Sequence, residues 1–230
     1  MGRLLTQQKR GKGSPAYAAP SHRYKGRIRL PRSLEDGVII DLIHCSGHSA
    51  PLMVAQFGDE TALLPAVQDI FVGKTIGVGK PELGCVCQLK DIPEGAQICC
   101  VELKPLDGGK MIRSAGSSGN IISKDGKNVV VRLPSGKLKN MDPDCRALVG
   151  MVAGTGVKDK PLLKAGRNHY RMHGRNHNWP IIKGQKMTPR DHPFGGGKHR
   201  HSGRPETVSH NMPPGRKVGS IAARSTGRKK

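Results

Sequence analysis

Between Leu30 and Leu163 the apolar residues come in short runs separated by glycine-rich turn signals, which is the pattern of small β-folds rather than of helices. Val38 to Ile43 and Pro51 to Phe57 read as strands, and Gly58-Asp59-Glu60-Thr61 returns the second into Thr61 to Leu64 as a hairpin. Short strands at Thr75 to Val78 and Cys85 to Leu89 close a first unit, predicted as a five-stranded barrel of the oligonucleotide-binding type over residues 30–89. After the turn Asp91 to Gly95, further strands are expected at Gln97 to Leu103, Gly119 to Lys124, Val129 to Leu133, Leu138 to Met141 and Cys145 to Val152. Five strands in so short a span predict an SH3-like barrel over residues 90–163. The expected fold class is therefore all-β, with two barrels in series.

The charge is distributed to match. The chain carries a formal charge of +22, yet the middle is neutral, with equal numbers of basic and acidic residues. Residues 1–29 hold eight Lys/Arg and no carboxylate; residues 164–230 hold sixteen Lys/Arg against Asp191 and Glu206. These ends read as basic arms on a neutral body, an arrangement suited to a penetrated polyanion, with nucleic acid foremost. The second arm has ten Gly, six Pro and seven His and no regular apolar period. Ordering its backbone costs about 1–2 kcal/mol per residue, so both arms are expected to take shape on a partner. One helical turn is expected near Ser220 to Arg224.

With three Phe, three Tyr and one Trp, the cores must be built from aliphatic residues. No apolar run reaches the roughly 18 residues that cross a bilayer, and Met1 to Gln8 lacks a signal-peptide apolar stretch, so a soluble intracellular protein is expected. The six cysteines, at positions 45, 85, 87, 99, 100 and 145, fall on strand-like segments and read as buried free thiols. Cys85-x-Cys87, Cys99-Cys100, His199-x-His201 and the His169, His173, His177 series do not match the paired spacing of a structural zinc site, so no protein-bound metal is expected.

Met187 to Arg200 is the densest stretch in chemistry-bearing residues. Prolines flank Asp191-His192, and Gly195, Gly196 and Gly197 would let the backbone approach a surface closely. Asp191-His192 offers an acid/base pair, or else His192 contacts RNA while Arg190, Lys198 and Arg200 hold phosphates. Adjacent side chains point apart and no nucleophile is visible, which disfavours the enzymatic reading. Tyr170 and Trp179 could stack on splayed bases or pin the arm to the body. The loop Met111 to Gly119 presents Arg113, Ser114 and backbone amides to phosphates, or is a plain flexible connection. The remaining phosphate-contact candidates are Arg3, Lys9, Arg10, Lys12, Arg23, Lys25, Arg27 and Arg29 in the first arm. Arg167, Arg171, His201, Arg204, Arg216, Lys217, Arg224 and Arg228 are their counterparts in the second.

Four strings carry a family resemblance: Leu106 to Lys110 with Arg113 to Gly116, Val129 to Gly136, Asp191 to Gly197, and Pro213 to Gly219. On these the chain closely resembles, over its whole length, the universal second protein of the large ribosomal subunit in its archaeal and eukaryotic form. The resemblance implies two barrels seated on large-subunit rRNA, arms threading between rRNA helices, and a second arm near the peptidyl transferase centre. It implies roles in subunit assembly, subunit association, tRNA binding and peptide-bond formation, with His192 shaping rRNA rather than acting as a general base. Lys186 and Arg190 depart from the uncharged or acidic residues many members have there. The implied setting is the cytoplasmic ribosome, with rRNA and neighbouring ribosomal proteins as partners, magnesium held by the rRNA, no membrane and no homo-oligomer. A DNA-packaging protein and an RNA hydrolase are the competing classes; the mixed composition of the arms favours RNA over duplex packing.

Overall fold

The computed structural model describes residues 5–33, 35–157 and 159–224. Their contacts fall into two units, one of residues 21–163 and one combining the described residues up to Pro20 with those from Lys164 onward. The larger unit, the body, is all-β.

Its first sheet contains β1 (Gly37–Ile43), β2 (Leu52–Phe57), β3 (Glu60–Pro65) and β4 (Thr75–Ile76) in the order β3-β2-β1-β4. The expected hairpin is β2–β3: Phe57 pairs with Glu60 across Gly58-Asp59, and Gly58 has the positive φ that the tight turn requires. The second sheet contains β5 (Val86–Gln88), β6 (Gln97–Cys99), β7 (Gly119–Asp125), β8 (Asn128–Arg132), β9 (Leu138–Met141) and β10 (Arg146–Val149). Its order is β5-β10-β6-β7-β8-β9, and β7, β8 and β9 form the antiparallel meander read from the turn signals.

The strand expected to complete the first barrel is shared between the two sheets rather than belonging to the first alone. β5 is hydrogen-bonded antiparallel to β10, with Ala147 opposite Cys87, and reaches the first sheet only through a parallel bridge from Val86 to Val78. The cores explain this. Along β5, β6 and β10 successive side chains enter different cores: Val86, Cys99 and Leu148 join Ile39, Leu52, Phe57 and Leu64. Cys87, Ile98, Ala147 and Val149 join Ile121, Val129, Val131 and Met141. These three strands are a wall common to both cores, and a strand buried on both faces has no polar alternation to reveal its partner. All four residues of β10 are buried. The six cysteines are free and buried, and burial pushes the thiols of Cys87 and Cys145 up to about 11.

The body extends upstream of the boundary placed at Leu30. Ile28 and Leu30 are core residues, while Arg27 and Arg29 alternate outward, and Arg29 donates its N–H to the Leu63 carbonyl at 3.0 Å.

The second unit contains α1 (Thr6–Gly11), α2 (Ala165–His173) and a parallel pair formed by β11 (Thr207–Val208) and β12 (Ser220–Ile221). Neither helix was legible in the sequence, and Ser220 starts a strand where a helical turn was expected. Its N–H donates to the Glu206 carbonyl at 2.8 Å and that of Ala222 to Val208 at 2.9 Å, so extended pairing takes the bonds a turn would need. Only Leu5, Val208 and Val218 are buried apolar side chains among the described residues of this unit.

Candidate nucleic-acid interface

The body brings three arginines without ion-pair partners, among the described residues, to one cleft. A cleft of about 590 Å³ is lined by Arg27, Arg29, His48, Lys110 and Arg113, with Asp107 as its one carboxylate. Asp107 lies 3.3 Å from Lys110, and among the described residues Arg27, Arg29 and Arg113 have no ion-pair partner. Burial opposes ionisation of Asp107. The N–H of Leu103, the Lys110 ammonium and the N–H of Gly109 outweigh it and hold the carboxyl below its ordinary value.

A buried ion pair positions two of the segments that line this cleft. Glu102, on the segment after β6, is fully buried and accepts Arg146 Nη2 at 2.9 Å, the Arg146 N–H at 2.9 Å and the Gly108 N–H at 3.0 Å. Arg146 Nη1 donates to the Pro31 carbonyl at 2.7 Å. One carboxylate thus ties β10 to the turn carrying Lys110 and to the strand-like segment carrying Arg27 and Arg29. Gly109 is needed at this turn: its φ is +77°, and a Cβ there would sit 2.6 Å from the Cys100 carbonyl oxygen.

The loop bearing Arg113 is anchored, which removes its reading as a plain flexible connection. Ala115 N–H donates to Ser49 Oγ at 3.1 Å and Gly116 N–H to the Val152 carbonyl at 3.1 Å. Arg113 is half-buried and Ser114 exposed. His48 forms the facing wall, with Nδ1 3.2 Å from Cys45 Sγ and its ring tilted against Tyr24 at 6.2 Å between centroids. Burial first, and the Arg113 charge second, lower the pKa of His48. The sequence reading missed Tyr24, His48 and Lys110; of these only Lys110 carried a signal, as the end of the Asp107-Gly108-Gly109-Lys110 string.

In the second unit the expected contacts are spread out. Lys9 and Arg10 occupy the last turn of α1 with Lys12 at its C-cap, and Arg167 and Arg171 lie on α2. Tyr170 is 76 % exposed, which suits stacking on a base; Trp179 is half-buried. Arg190, Lys198, Arg200, His201, Arg204 and Arg224 are exposed and Lys217 half-buried. Back in the body, Arg23 and Lys25 are exposed. Arg3 and Arg228 lie outside the described residues.

Asp191 and His192 do not form a dyad. Asp191 Oδ2 accepts Thr188 Oγ1 at 2.9 Å, and His192 Nδ1 accepts the Phe194 N–H at 3.0 Å. Nδ1 is thereby unprotonated, and burial lowers the pKa of this imidazole. Gly195 and Gly196 face their own chain: a Cβ on Gly195 would meet the Thr188 and Met187 carbonyls, and one on Gly196 the Pro189 ring at 2.7 Å. Only Gly197 is open, its nearest such neighbour being His201 at 3.6 Å. Among the described residues there is no group of three or more His, Cys, Asp or Glu placed to hold a metal.

A β-body with unpaired arginines around one cleft, joined to basic segments, defines a class of basic β-proteins with the electrostatics suited to a polyanion. The sequence model of the family described as Ribosomal Proteins L2, C-terminal domain, matches residues 82–214, more than half of the chain. The chain is 46 % identical to the large ribosomal subunit protein uL2 of Archaeoglobus fulgidus, over 99 % of both chains. It is 44 % identical to that of Haloarcula marismortui, over 99 % of this chain and 98 % of the relative, and 43 % identical to that of Nanoarchaeum equitans over all of both. The chain belongs to the uL2 family of large ribosomal subunit proteins, which are structural ribosomal proteins and not enzymes.

Proposed function

We propose that this protein is a structural constituent of the large ribosomal subunit that binds large-subunit rRNA through the body cleft and through both basic arms. The observation that carries this is the convergence of Arg27, Arg29, Lys110, Arg113 and His48 around one cleft holding a single carboxylate. Phosphate oxygens supply the acceptors that the protein withholds, and counterion release makes binding steeply salt-dependent. The second arm lies near the peptidyl transferase centre and supports subunit assembly, subunit association, tRNA binding and peptide-bond formation. His192 contributes there as a neutral shape-determining ring. Magnesium is carried by the rRNA, neighbouring ribosomal proteins are the other partners, and the protein works in the cytoplasm as a single copy per particle.

The test is sucrose-gradient fractionation of lysate with and without ribonuclease, followed by immunodetection. Co-migration with the large subunit, lost after ribonuclease, supports the proposal. Migration at the top of the gradient, or with DNA and indifferent to ribonuclease, refutes it.

A further inference from the structure

The second unit contains a cavity of about 610 Å³ between two turns, one around Pro189 to Gly195 and the other at Pro213 to Arg216. Both walls are held by their own backbone: His192 N–H donates to Thr188 at 3.2 Å, Gly195 N–H to His192 at 2.9 Å and Arg216 N–H to Pro213 at 2.9 Å. Arg190, Arg204 and Arg216 all line the cavity, and among the described residues none of them has an ion-pair partner. The one lining carboxylate, Asp191, is engaged by Thr188. Arg216 Nη1 is the one side-chain nitrogen or oxygen among the described residues that is buried with no hydrogen-bond partner.

An orphaned guanidinium nitrogen is costly, and three arginines lining one space with no carboxylate free to pair them favour an anionic acceptor from outside the chain. The pyrrolidine rings of Pro189, Pro193, Pro213 and Pro214 add flat apolar surface, which an inorganic ion would not cover. The volume falls in the range of roughly 300–1,000 Å³ that holds nucleotide-sized molecules. We propose that this cavity holds one unpaired ribonucleotide extruded from rRNA, with its phosphate on Arg216 and its base against the proline rings. Arg190 and Arg204 take the adjoining phosphates. The proposal rests on the rRNA-binding reading above and gives that reading one site.

The test uses large subunits from cells whose sole copy of this protein carries Arg216→Gln or Arg216→Lys, with Lys127→Gln as an exposed basic control outside the cavity. The rRNA is probed by 2′-hydroxyl acylation. In Arg216→Gln particles one unpaired nucleotide should become more reactive by about fivefold or more, as expected for losing a bidentate charge-assisted contact. Arg216→Lys, which keeps the charge but not the fork, should show a smaller rise at the same nucleotide, and Lys127→Gln none there. Unchanged reactivity in Arg216→Gln and Arg216→Lys particles that contain the protein would overturn the pocket. So would the same change in Lys127→Gln. Absence of the wild-type chain from large subunits would instead overturn the proposed function.

Discussion

At the scale of single residues, the body cleft makes two demands on chemistry. The first concerns His48. Burial and Arg113 place its folded pKa below the ordinary 6.5, so the unfolded chain binds its proton more readily. Stability from the neutral ring is present above about pH 6.5 and is lost as pH falls towards the folded value. A phosphate in the cleft reverses the preference by favouring the imidazolium, so RNA binding should take up a proton. Affinity for an rRNA fragment, measured by fluorescence anisotropy, should therefore rise between pH 7.5 and 6, and this part of the rise should vanish in His48→Gln. An identical pH profile in the variant would refute the assignment. The second demand concerns Arg113, which has no carboxylate partner among the described residues. Arg113→Gln should weaken binding to all rRNA fragments and reduce the log–log salt slope by about one. An unaltered slope would remove it from the interface.

At the scale of elements, the shared wall and its buried ion pair do the positioning. Removing one partner of a buried pair leaves an uncompensated charge, so Glu102→Ala should destabilise the body by about 3–5 kcal/mol in urea unfolding. Because Glu102 also holds Gly108 and, through Arg146, Pro31, the same variant should weaken RNA binding without any change to a cleft cation. Loss of stability with unchanged affinity would show that the pair holds the fold but does not shape the cleft. The meander over β7 to β9 was legible because Asp125-Gly126-Lys127 and Pro134-Ser135-Gly136-Lys137 are explicit turn signals between alternating strands. The partnership of β5 with β10 was not, since Ala147-Leu148-Val149 is apolar on both faces and names neither core. The cations of the cleft were legible as cations. Their convergence was hidden, because Arg27, His48 and Lys110 come from segments brought together only by strand pairing and by the Glu102 hub.

At the scale of the whole molecule, the two units differ in what sustains them. The body encloses two aliphatic cores, while the described residues of the unit formed by the arms bury three apolar side chains at about 1.5–3 kcal/mol each. That is far less than the cost of ordering its backbone at about 1–2 kcal/mol per residue. Limited proteolysis of the free protein should therefore remove residues beyond Lys164 first and leave a resistant fragment of residues 21–163, and rRNA should protect the arms. Equal resistance of arms and body in the free chain would contradict this. The sequence by itself determined the all-β body, its turn positions, the neutral charge of residues 30–163 and the basic character of the ends, because period, turn chemistry and charge are local properties. Only the tertiary structure decided that both cores share one wall, that Ser220 extends rather than coils, and that scattered cations meet at one cleft. Those outcomes depend on pairing between segments distant in sequence, where burial on both faces erases the alternation that local reading relies on.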